Sequence, residues 1–147
     1  MANKGDHMLK NIDPVLTGSL LKALDELGHG EKIAIVDRNY PSYASGAQVI
    51  HLGEISITRA CEAVFSVFPL DTFIDQPLSR MQSDDQQPAT PTHEAVLKIA
   101  STSHPNQLEF DLIPRLDFYD RAKECAVIVQ CLETAPYSCF IAQKGTV

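Results

Sequence analysis

Residues 28–41 read GHGEKIAIVDRNYP: a histidine between two glycines, an apolar run, then an aspartate and a turn that reaches a proline. Residues 32–37, KIAIVD, are apolar at consecutive positions and rich in β-branched side chains, as in a strand covered on both faces. Such a strand needs helices above and below it, so this stretch decides the fold class. Upstream, Leu16, Leu20, Leu21, Leu24 and Leu27 follow the helical period. Thr17 is a suitable N-cap, and Gly28 is placed to end the helix in left-handed backbone. Downstream, RNYPSYASGAQ carries the Pro, Gly and Ser of a loop, which begins where the strand ends.

The pattern continues along the chain. Ile57, Ala60, Cys61, Val64, Phe65 and Phe68 follow Ser56 at helical spacing, and Pro69 stops them. TFIDQPLSRM reads as extended, with Pro77 pointing to an edge strand or a bend, and QSDDQQPATP reads as a polar loop. Pro91 opens a helix to about Ser101, and Leu116, Tyr119 and Ala122 mark another after Pro114. CAVIVQCL is a second fully apolar strand, and SCFIAQ is the last. Helices and strands alternate without internal repeats, which predicts a three-layer α/β fold with helices on both faces of a central, mostly parallel or mixed sheet. The 147 residues suit one domain, taken as 8–147. The polar opening MANKGDH, residues 1–7, reads as an extension or cloning remnant.

Composition narrows the function classes. A net charge of −7, with Lys and Arg scattered, repels phosphate backbones and anionic lipid, so neither nucleic acid nor a membrane is expected as partner. No apolar run approaches the ~20 residues of a membrane span. Cys61, Cys125, Cys131 and Cys139 lack C-x-x-C spacing, and no signal segment opens the chain, so reduced thiols in a cytoplasm are expected. Cys61, Cys125 and Cys131 fall in apolar runs and read as core, with Cys125 and Cys131 in the CAVIVQCL strand; Cys139 stays open. Dinucleotide, Walker and serine-hydrolase motifs are absent from the sequence, and His29, Asp37 and His51 do not have metal-ligand spacing.

Three positions carry candidate chemistry. His29 is either a surface or cap residue or a proton carrier held close to the backbone by Gly28 and Gly30. Asp37, beyond the carboxyl end of a strand, is either a turn initiator or an acceptor for a polar ligand. Arg115 is a cation in the first turn of a helix, where the dipole opposes it; it either pairs with Asp111 or Asp117 or serves a ligand.

The segments MLKNIDPVLTGSLLKALDELGHGEKIAIVDRNYP (from Met8), GAQVI, LDFYDRAKECAVIV and APYSCFIAQKG together resemble the fucose mutarotase / ribose pyranase family, most closely its fucose mutarotase branch. The resemblance implies an isomerase that interconverts the α and β anomers of an L-fucose-like monosaccharide, without metal or cofactor. It implies that His29 transfers the proton and that Asp37, Arg115 and Tyr137 bind the sugar. Ser138 and Cys139 complete the sugar-binding segment, standing where the family has Gly-Asn. It also implies ring-like homo-oligomers with sites at subunit interfaces. In one extended strand, eight steps of ~3.3 Å put His29 and Asp37 up to ~26 Å apart, so either the strand is short and bent at Gly30 or a second copy completes the site. A ribose-type pyranase and a non-catalytic sugar-binding or transport-accessory protein are the competing readings.

Overall fold

The computed structural model describes residues 9–147; the expected extension at 1–7 and the domain start at Met8 lie outside the described residues. Helix α1, Gly18–Glu26, is capped by Thr17, whose hydroxyl accepts from the Leu20 N–H at 3.2 Å, a bond of about 1 kcal/mol. Its far end departs from expectation. Leu27 is extended and Gly28 is not left-handed; instead the Lys144 ammonium donates to the carbonyls of Leu24 and Leu27. With a lysine satisfying its last carbonyls, the helix needs no glycine cap. The left-handed turn falls two residues on, at Gly30 (φ 87°), whose N–H donates to the Lys144 carbonyl.

Strand β1, Lys32–Val36, then runs through the middle of the sheet, and β2, Gln48–Gly53, follows a short 3₁₀ turn at Ser42–Ser45. Helix α2 spans Ile57–Phe65, ending before the expected Phe68; β3 spans Leu78–Gln82, and α3 spans Pro91–Ser101. Strand β4 (Asp111–Pro114) leads directly into α4 (Arg115–Ala122), and β5 (Val127–Cys131) and β6 (Phe140–Gln143) complete the sheet. Cys125 sits just ahead of β5 instead of within it.

The strand order is β2-β5-β1-β6-β3-β4. Strand β6 is antiparallel to both its neighbours, and every other pairing is parallel, so five strands point one way. β3 lies between β6 and β4, so Pro77 marks no edge; it stands just before the first residue of the strand, where its missing N–H costs no ladder bond. Strands β2 and β4 are the true edges.

Alternation along β1 builds two cores. Ile33 and Ile35 face α1, α2 and α3 together with Val127, Val129, Leu78 and Phe140. Ala34 and Val36 face α4 together with Ile128, Ile141, Met81, Ile113 and Phe118. Each of the larger side chains among them contributes roughly 1.5–3 kcal/mol on burial. The result is the expected three-layer arrangement around a mixed sheet.

Candidate functional site

Because five strands are parallel, the sheet has a carboxyl end and an amino end, and the expected site residues divide between them. Asp37 leaves β1 at the carboxyl end, where its side chain is 95% buried. Its Oδ1 accepts from the Asn39 N–H at 3.0 Å and its Oδ2 from the Ser138 N–H at 3.1 Å. The bond to Asn39 is the turn bond expected of a turn-initiating aspartate, and the other oxygen receives the segment that begins β6. Burial, assisted by Glu133, pushes its pKa above the usual carboxylate range against those N–H bonds.

The loop after Asp37 is tied down by Gln130 of β5. Its amide donates to the carbonyls of Asp37 and Tyr40, each at 3.0 Å, and accepts from the Ser42 hydroxyl. Tyr40 is thereby packed edge-on against Phe118 and Tyr119.

Arg115 opens α4 at the same end of the sheet. It pairs with Asp84, at 3.0 Å, from the loop after β3; Asp111 is taken by Arg121. Its guanidinium lies 5.8 Å from the Tyr119 ring centre, a cation–π distance. Tyr137, Ser138 and Cys139 lead into β6, so they also belong to the carboxyl end. Tyr137 adopts left-handed backbone (φ 57°), and the Ser138 hydroxyl is fully buried with no hydrogen-bond partner among the described residues. Cys139 is 98% buried, and burial and the neighbouring Asp37 push its thiol well above its ordinary pKa. It lacks the exposure and the thiolate that a reactive cysteine needs.

His29 stands at the other end, ahead of β1. Its Nε2 lies 3.2 Å from Asp71 Oδ1; the histidine side chain is 45% exposed and the aspartate 2%. Asp71 also accepts from the Phe73 N–H and from the Gln143 amide. Burial works against its ionisation, but these donors and His29 outweigh it, so its pKa falls below the usual range. Phe73, itself exposed, places its ring 5.2 Å from the imidazole. A carboxylate that stays ionised behind a half-exposed histidine orients the ring while leaving one side of it accessible.

Asp71, Phe73, Tyr40, Tyr119 and Gln130 were not among the sequence candidates. LDTF after Pro69 carries no spacing that pairs it with His29, which lies 42 residues upstream. Among the described residues no group of three or more His, Cys, Asp or Glu is placed to hold a metal ion, and no helix is long and apolar enough to cross a membrane.

Comparisons with known proteins bear on this geometry. An L-fucose mutarotase of Haemophilus influenzae is 34% identical over 142 residues, covering 94% of this chain and 96% of that one. The crystal structure of the Streptococcus pneumoniae fucose mutarotase in complex with L-fucose superposes with a TM-score of 0.87 at 28% identity, covering 95% of this chain and 99% of that one. Bacillus subtilis RbsD complexed with D-ribose shares the fold at a TM-score of 0.76 and 19% identity, over 95% of this chain and 99% of that one. The family model described as the RbsD / FucU transport protein family matches residues 10–147, and the chain belongs to that family.

Proposed function

We propose that the protein is an aldose mutarotase that interconverts the α and β anomers of an L-fucose-like sugar. The observation that carries the reading is the half-exposed His29 held by the buried, ionised Asp71. Mutarotation needs a proton removed from the anomeric hydroxyl and one delivered to the ring oxygen; the open aldehyde then rotates and recloses on its other face. One positioned imidazole can accept the first proton and deliver the second. Asp37 accepts hydrogen bonds from sugar hydroxyls, Arg115 donates to them, and the partly exposed Tyr119 and Tyr137 offer aromatic surface to the sugar's C–H face. Ser138 and Cys139 complete that end of the pocket.

His29 and Asp37 flank a five-residue strand that alone spans about 16 Å, too far for one pyranose to touch both. The site is therefore composite: the carboxyl end of one copy meets the amino end of a second in a homo-oligomer. Exposed apolar side chains at both ends, Phe73 and Ile74 beside His29 and Leu116 beside Arg115, support this arrangement.

Saturation-transfer NMR of anomer exchange, with L-fucose and D-ribose beside protein-free controls, tests the function. Faster exchange for L-fucose is expected. Faster exchange for D-ribose alone would reassign the substrate, and a sugar that binds without faster exchange would make the protein a binder.

A further inference from the structure

The peptide that joins Tyr137 to Ser138 is held at both poles. Its N–H donates to Asp37 Oδ2 at 3.1 Å, and its carbonyl accepts from His93 Nε2 at 2.8 Å. His93 is 98% buried in the first turn of α3, where it forms a reciprocal cap with Thr90. The Thr90 N–H donates to His93 Nδ1 at 3.0 Å, and the His93 N–H donates to the Thr90 hydroxyl at 3.1 Å. A backbone N–H can only donate and a carbonyl can only accept, so the ring is the neutral tautomer with its proton on Nε2. Burial first, and then the nearby Arg80, keep it neutral. Phe140 and Phe110 pack against the ring at centroid distances of 5.9 and 6.4 Å, which fixes its plane. The residue restrained by this bond, Tyr137, has a φ of 57°, which a non-glycine residue keeps only where its surroundings hold it.

We infer that His93 is a positioning residue for the Asp37 end of the sugar site: through one peptide unit it holds Tyr137 in its left-handed conformation and aims the Ser138 N–H at the Asp37 carboxylate. This rests on Asp37 and Tyr137 being sugar-binding residues. It connects the start of α3 to the ligand without His93 touching the ligand.

Two substitutions separate this role from helix capping. His93→Asn keeps an acceptor for the Thr90 N–H but is too short to reach the Tyr137 carbonyl; His93→Gln reaches it with a donor while keeping an acceptor for Thr90. The Asn variant is expected to raise KM for L-fucose about tenfold, with a much smaller change in the exchange rate at saturation, and the Gln variant to restore the wild-type KM. Hydrogen exchange at the Ser138 amide, measured without sugar, is expected to speed up in the Asn variant and return to the wild-type rate in the Gln variant. A folded Asn variant with unchanged KM and unchanged Ser138 protection would overturn the inference, as would a folded Gln variant that restores neither. If the wild-type protein does not accelerate L-fucose exchange, the functional reading fails, and the Ser138 amide still decides whether His93 sets this peptide.

Discussion

Two buried aspartates, one at each end of the sheet, begin from the same local motif and finish with opposite electrostatics. Asp37 and Asp71 are each at least 95% buried, and each accepts from the backbone N–H two residues on, Asn39 or Phe73, at 3.0 Å. What differs is the remaining surroundings. For Asp37, burial outweighs the two backbone N–H groups and the Cys139 thiol that favour the charged form, Glu133 adds repulsion, and the pKa rises. Asp71 faces a side-chain amide and a histidine, and its pKa falls. The turn motif therefore fixes where a carboxylate points, and its long-range partners decide its charge. In the proposed site, Asp37 serves as a fixed acceptor for sugar hydroxyls and Asp71 as a charged support for the half-exposed His29.

The largest effect should come from the amino end. His29→Ala is expected to lower anomer exchange by about 100- to 10,000-fold while the chain keeps its fold, checked by NMR exchange and circular dichroism. Asp71→Asn keeps the shape but removes the charge behind the imidazole, and a loss of about 10- to 100-fold is expected in the same assay. If Asp71→Asn left the rate unchanged, the contrast between the two carboxylates would carry no functional meaning.

Gly145→Ala probes the backbone that places Asp71. An added Cβ would lie 2.7 Å from the Leu70 carbonyl and 2.8 Å from the Asp71 Cα, so that backbone must move. A destabilisation of about 1–3 kcal/mol in chemical denaturation is expected, with a lowered exchange rate.

The smallest effect concerns pH. The folded pKa of His93 lies below its unfolded value near 6.5, so between the two the unfolded chain binds more protons. Its contribution to stability is full above about pH 6.5 and is lost as pH falls toward the folded pKa. Denaturation midpoints measured between about pH 7 and 5 should show this decline, and His93→Gln, which cannot titrate, should flatten it.

Much of the fold was legible because its signals are local. KIAIVD and CAVIVQCL declare buried strands, Thr17 and Ser56 declare helix starts, and Pro91 opens α3 where expected. Strands β2 and β4 escaped notice because edge strands are partly exposed, so QVIHLG and DLIP carry no continuous apolar run. The glycine cap at residue 28 was misplaced because its substitute, Lys144, lies more than a hundred residues away in sequence. The candidate site divides along the same line. His29, Asp37 and Arg115 stood out through turn position and helix polarity. Asp71, Gln130 and His93 act through partners 42, 93 and 44 residues distant, which no spacing rule connects.

The composite site is the central claim, and co-expression of two inactive chains tests it most directly. His29→Ala spoils only the amino end and Asp37→Asn only the carboxyl end, so a mixed oligomer contains interfaces in which both halves are intact. With equal, random assembly, about a quarter of the sites should combine a wild-type His29 end with a wild-type Asp37 end, and NMR exchange of L-fucose anomers should recover to about that fraction. Co-purified mixtures that stay as inactive as either parent would contradict a site shared between two copies.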